Sequence, residues 1–215
     1  VNAKNLKPAV LAILKPVTAA LIRARIHPNS LTLAGLTVSV ASAWGFAHGP
    51  LALAAALLLI AGVFDLLDGA VARDGQRMSP YGAFLDSSVD RYAEIVVFLG
   101  ILWRFEGELW TQLAALVAIC GSLMVSYTKA RAEGLGQEVS GGLLQRPERI
   151  ILLALGGFCG TIGLRIALWA LALLTNLTSI QRMLLVAEAM NPPSGAPSGA
   201  SGVDSRDAEA APPAV

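Results

Sequence analysis

From residue 31 onward the chain runs through about six apolar stretches, near residues 31–48, 51–72, 82–104, 109–131, 148–163 and 166–187, separated by short breaks rich in Gly, Pro or charge. Several approach the roughly 20 residues that a helix needs to cross a hydrocarbon core, and the fifth is short and Gly-rich. Ahead of them, residues 4–26 interleave Lys4, Lys7, Lys15, Arg23 and Arg25 with aliphatic residues. That pattern suits an interfacial segment whose cations sit among headgroups while its aliphatic face dips beneath them. Pro8 and Pro16 are expected to prevent one uniform helix there. With no uninterrupted apolar core between its cations, the segment has no signal-peptide layout and is read as part of the mature protein.

The expected fold is therefore an all-α integral membrane protein with about six transmembrane helices and an N-terminal amphipathic helix. The expected division is an interfacial segment at 1–27, a membrane domain at 28–187, and a tail at 188–215. The tail is Pro, Gly, Ser and Ala with scattered acids, and it is expected to be disordered. The sequon at Asn176 lies in an apolar run, so its glycosylation is not expected.

Composition agrees with this class. The chain of 215 residues is 55% hydrophobic and only 14% charged, with a formal net charge of +1 and a mean hydropathy of +0.63, far from a soluble domain's balance. Its cations form short clusters rather than one basic face, so no nucleic-acid partner is expected. Lys and Arg collect in the N-terminal segment, in the 73–81 loop and in the 129–149 loop. Short cytoplasmic loops carry such an excess, so both termini are expected inside a multi-pass cell membrane. Cys120 and Cys159 fall in apolar runs with no metal-ligand spacing and are read as small core residues. Trp44, Trp103, Trp110 and Trp169 lie near expected helix ends, where an anchoring role is the default. His27 and His48 sit at a turn and a loop, with no catalytic claim.

Against this background the acids of residues 65–90 stand out. An ionised Asp at a bilayer centre costs roughly 2.5–3.5 kcal/mol, so four in neighbouring spans need cations or water to meet them. On a helix, Asp65, Asp68, Gly69, Ala72 and Arg73 share one face, and Gly82, Asp86 and Asp90 form a stripe on the next. A short connection makes these two helices antiparallel neighbours, bringing all four acids to one depth near the cytosolic surface. Hard oxygen ligands with no His or Cys nearby suit Mg²⁺ or Mn²⁺ rather than zinc. Two ions are plausible, because a metal pair can clamp a diphosphate. Gly69 and Gly82 leave room beside the site, and Arg73 can pair with a phosphate or with the acids. Arg91 and Glu94 are expected to pair with each other.

The spacing Asp65-x-x-Asp68-Gly69-x-x-Ala72-Arg73, eight residues, Gly82-x-x-x-Asp86-x-x-x-Asp90 resembles in full the signature of the CDP-alcohol phosphotransferases. The resemblance covers about residues 28–187 and begins at Pro28-Asn29-Ser30-Leu31-Thr32, a segment that commonly opens the first helix in that family. It implies a six-helix enzyme, usually a homodimer, in which an incoming hydroxyl displaces CMP from a CDP-linked lipid or alcohol. Carried over by position, Asp65, Asp68 and Asp86 hold metal, and Asp90 completes the site and acts as general base. Asn29, Asp68, Gly69, Ala72, Arg73 and Gly82 shape the CDP-lipid pocket.

Farther on, Lys129-Ala130-Arg131-Ala132-Glu133, Arg146-Pro147-Glu148-Arg149 and Gln181-Arg182 are similar to segments of the phosphatidylinositol-phosphate synthase subfamily and its archaeal ether-lipid relatives. As a bare charge run these cations also read as a topology signal or headgroup contact. The resemblance implies instead that Lys129, Arg149 and Arg182, with Arg131 as a fourth, hold the phosphate of an inositol phosphate acceptor. A dianionic phosphate calls for more than one cation, and Arg can grip it bidentately. The implied partners are CDP-diacylglycerol or a related CDP-lipid, inositol phosphate and membrane lipids, with glycerol 3-phosphate as the alternative acceptor. From a different class, intramembrane acids can also line a cation or proton pathway of a transporter.

Overall fold

The computed structural model describes residues 3–137 and 144–190, and the described chain is helical with short connections. Its helices are α1 (Ala3–Arg23), α2 (Pro28–His48), α3 (Leu51–Asp74), α4 (Pro80–Arg104), α5 (Leu109–Glu133), α6 (Arg146–Phe158) and α7 (Gly160–Met190). Proline in the first turn opens α2, α4 and α6, where its missing N–H has no helical partner to lose. His27 caps α2 by accepting the Asn29 N–H, and Ser79 caps α4 by accepting the Gly82 N–H.

Helices α2 to α7 close a ring. α2 packs along both α3 and α4, α4 touches α5, α5 lies on α7, and α6 fills the gap between α7 and α3. Alternating direction then gathers the start of α2, the end of α3, the start of α4, the end of α5, the start of α6 and the end of α7 at one end of the bundle. The opposite end is dry, with Phe46, Val97, Phe98, Ile101, Phe105, Leu164 and Leu168 all buried in one apolar cluster. It is fastened by Arg165, which donates to Glu108 at 2.6 Å, and by Arg104, which donates to the Gly49 carbonyl at 3.0 Å. The Arg165 hydrogen bonds hold the Glu108 carboxyl below the usual carboxylate range.

Packing in lipid depends on close backbone approach, and small residues mark the crossings. A Cβ added at Gly100 would overlap the Ala43 carbonyl where α4 crosses α2. Gly100→Ala is therefore expected to destabilise the bundle by about 1–3 kcal/mol, read as a lower melting temperature in detergent. A variant melting with the wild type would disprove that contact.

Among the described residues α2, α3, α5 and α7 are long and apolar enough to cross a membrane. α4 has 25 residues but carries Asp86, Asp90, Arg91 and Glu94. α6 has 13 residues, about 20 Å of helix against a core of about 30 Å. The expected fifth and sixth segments also divide elsewhere. The chain turns at Cys159–Gly160, with Gly160 in the left-handed region at φ 78°, and Thr161, Ile162 and Gly163 belong to α7 rather than to a connection. α7 runs on to Met190, and the expected tail from residue 191 lies outside the described residues.

Other expectations are corrected. α1 is one continuous helix despite Pro8 and Pro16, since a proline removes one hydrogen bond while the remaining ladder carries the helix on. Its Leu14, Leu21 and Ile22 pack on Leu31, Leu67 and Val71, seating it against the end of α3. Cys120 and Cys159 are exposed rather than core residues; an outward-facing position in lipid is as apolar as an inward one. Trp44, Trp103 and Trp110 stand exposed near helix ends, whereas Trp169 lies well inside α7.

Candidate active site: an acid cluster beside a nucleotide-sized cleft

Asp65 and Asp68 lie one turn apart near the end of α3, and Asp86 lies in the second turn of α4. Each can offer an oxygen to a shared point, with the three ligand atoms within 4.8 Å of one another. The convergence is not a direct α3–α4 packing, as the short connection had suggested. The backbones of α3 and α4 scarcely meet, and α2 runs along both as a common support. The gap this leaves is a cleft open to solvent, lined by Asn29, Asp68, Gly69, Ala72, Arg73 and Gly82, together with Thr32, Arg77, Ser79 and Asp86. All six residues expected at the CDP-lipid pocket thus surround one cavity. Gly69 and Gly82 face polar side chains there, Arg73 at one and Ser79 and Asn29 at the other.

The donor set suits a hard divalent cation: carboxylate oxygens only, one of which, Asp86 Oδ1, is buried without a hydrogen-bond partner. Asp90 sits one turn farther along α4. It is in side-chain contact with Asp65 and pairs with Arg146 Nη1 at 2.6 Å. Carboxylates this close repel one another unless a cation or proton is shared between them. Asp90 is not one of the three clustered ligands, and it faces a second, smaller pocket with Asp65, Asp68, Thr32, Ser39 and Arg146.

The expected acceptor-phosphate residues divide. Arg149 and Arg182 are 4% and 5% exposed, hence within the bundle. Arg149 donates Nε and Nη2 to the two oxygens of Glu94 at 2.9 and 3.2 Å, and Arg182 donates to the Val125 carbonyl at 2.6 Å. The two arginines are close enough for their charges to interact, with Glu133 alongside. Lys129 is exposed and pairs with Glu133 at 3.6 Å. Arg131 is also exposed, and two residues on from Lys129 it lies about 200° round the helix.

Three residues at this end take partners that the sequence did not foretell. Glu94 continues the four-residue stripe of Gly82, Asp86 and Asp90, and its partner is Arg149 rather than Arg91. Arg91 instead reaches the Ser87 carbonyl at 2.6 Å and lies 3.6 Å from Asp90. Arg146, expected as a loop cation within the Arg146-Pro147-Glu148-Arg149 segment, is the partner of Asp90, so Asp90–Arg146 and Glu94–Arg149 form two successive rungs between α4 and α6. Thr32 donates to Asp68 Oδ2 at 2.7 Å.

Comparison with known proteins finds relatives over most of the chain. Archaetidylinositol phosphate synthase of Methanothermobacter thermautotrophicus is 38% identical over 184 residues, covering 84% of this chain and 91% of that protein. The crystal structure of Mycobacterium tuberculosis phosphatidylinositol phosphate synthase with CDP-DAG bound superposes with a TM-score of 0.73 at 33% identity, covering 81% of this chain and 94% of that one. The same enzyme in complex with manganese and citrate matches with a TM-score of 0.73 and 33% identity, covering 80% and 88% of the two chains. The model of the CDP-alcohol phosphatidyltransferase family matches residues 25–189, and with the acid cluster and its cleft in place the chain belongs to that family of membrane transferases.

Proposed function

We propose that this protein transfers the phosphatidyl group of CDP-diacylglycerol, or the corresponding group of a related CDP-lipid, to a hydroxyl of an inositol phosphate. The acceptor oxygen forms a bond to the lipid-side phosphorus of the diphosphate, the bond from that phosphorus to the bridging oxygen breaks, and CMP leaves. Asp90 takes the hydroxyl proton, held toward the reacting centre by Arg146. Asp65, Asp68 and Asp86 hold Mg²⁺ or Mn²⁺, two ions when the site is full. The metal, when bound, supplies positive charge for the diphosphate and the leaving phosphate. Asn29, Gly69, Ala72 and Gly82 shape the nucleotide cleft, and Arg73 can pair with the diphosphate. Holding both substrates beside one another turns a bimolecular encounter into a positioned displacement.

The observation that carries the acceptor assignment is the buried arginine pair, Arg149 and Arg182, behind the acid cluster. Two guanidinium groups inside a membrane bundle suit an anion, and Lys129 and Arg131 at the end of α5 add further cations. The use of Glu94 by Arg149 leaves the far edge of that guanidinium, Nη1 and the second Nη2 hydrogen, for a phosphate. The relatives named archaetidylinositol phosphate synthase and phosphatidylinositol phosphate synthase support the same acceptor.

Arg23, Arg25, Arg73, Arg77, Lys129 and Arg131 gather at the end that bears the acids, against Arg104 and Arg165 at the other. The positive-inside rule places that end in the cytosol of a cell membrane, with α1 in the same leaflet.

The test is CMP release by the purified protein in detergent, with inositol phosphate, glycerol 3-phosphate and serine as competing acceptors. The expected result is a clear preference for inositol phosphate; preference for either other acceptor overturns the assignment. Release in detergent also separates a transferase from a transporter, which needs a sealed vesicle to show activity.

A further inference from the structure

Thr32 occupies a place that neither the phosphate chemistry nor the cleft itself requires. We infer that Thr32 is a positioning residue for the metal site, fixing through its hydroxyl the direction in which the Asp68 carboxylate faces. The inference rests on reading Asp65, Asp68 and Asp86 as a divalent-cation site.

The geometry is specific. Thr32 Oγ1 lies 2.7 Å from Asp68 Oδ2 and 3.3 Å from the carbonyl of Pro28. A hydroxyl has one proton, and the shorter contact to the carboxylate is the stronger acceptor. Thr32 and Asp68 are 8% and 5% exposed, so water competes little for either. Both residues line the nucleotide cleft and the smaller pocket of Asp90, placing their hydrogen bond on the partition between the two.

The anchor is rigid for reasons visible in the chain. Pro28 and the His27 cap fix the first turn of α2, and Thr32 lies one turn on from Pro28. Its β-branched side chain has few χ1 choices in a helix. The terminal torsion of an Asp is broad, so a donor fixed on a neighbouring helix can set the direction of this carboxylate, alongside the Gly69 backbone N–H. A group outside the ligand shell that orients a metal-binding carboxylate is worth about 10–100-fold in metal affinity. No other helix reaches Asp68 with a hydrogen bond among the described residues.

The experiment uses the full chain in detergent, stripped with chelator and then titrated with Mn²⁺ while electron paramagnetic resonance reads the free ion. Thr32→Val, nearly the same shape without the donor, is expected to raise the dissociation constant about 10–100-fold. Thr32→Ser, which keeps the donor, is expected to stay within about threefold of wild type. The Mn²⁺ concentration needed for half-maximal CMP release should shift by the same factor. Wild-type affinity in Thr32→Val, or equal weakening in Thr32→Ser, overturns the role of Thr32 while leaving the metal site standing. A wild-type protein that takes up no Mn²⁺ overturns the metal reading and this inference together. Should the valine variant fail to fold, Thr32→Ala provides the same measurement without added bulk.

Discussion

Asp90→Asn is expected to lower CMP release by about 10²–10⁴-fold, the range for loss of a positioned general base. The substitution keeps the size of the side chain and one oxygen to face Arg146, so the Asp90–Arg146 rung weakens without leaving a hole. It removes the capacity to take the acceptor proton. Because the three clustered ligands are Asp65, Asp68 and Asp86, Mn²⁺ uptake and CDP-lipid binding should remain close to wild type. Turnover and binding therefore separate in this variant. Substantial remaining turnover would show that another group takes the proton.

Asp86→Asn is expected to fail at an earlier stage. Asp65 and Asp68 both come from α3, so Asp86 is the sole clustered acid from α4, and its Oδ1 is buried without a partner. Losing a direct ligand should weaken Mn²⁺ by roughly 100-fold or more, beyond the effect of an outer hydrogen bond, with CMP release falling to background. Excess chelator should do the same to the wild-type protein, and added Mg²⁺ or Mn²⁺ should restore it. Undiminished release in chelator would remove metal from the mechanism.

Much of this end of the molecule could be read from one sequence because helices repeat. Asp65, Asp68, Gly69, Ala72 and Arg73 fall on one face by spacing alone, as do Gly82, Asp86 and Asp90; the structure places Asp68, Gly69, Ala72, Arg73, Gly82 and Asp86 around one cleft, and Asp65 and Asp90 at the smaller pocket beside it. Glu94 obeys the same period, but Arg91, three residues away in sequence, offered a nearer expected partner than Arg149. Arg146 and Thr32 stand in segments that could be read locally, but nothing local names their partners. Their partners lie 56 and 36 positions away, and only the packing of α6 and α2 brings them together.

The errors at the other end have a common physical origin. Within lipid, the inward and outward faces of a helix are both apolar, so hydropathy could not show that Cys120 and Cys159 face outward. Nor could it find the break before α7, where the only mark is a left-handed glycine in an otherwise apolar run. The expected fifth segment therefore ran on to residue 163, past the turn at Cys159–Gly160.

The support that α2 gives to α3 and α4, which scarcely touch each other, has a mechanical consequence. The two acid-bearing helices resemble the blades of a pair of tongs mounted on one shaft, with the dry, close-packed end of the bundle as the pivot. A cation held by Asp65 and Asp68 on one blade and Asp86 on the other would tie the two tips together beside the mouth of the opening.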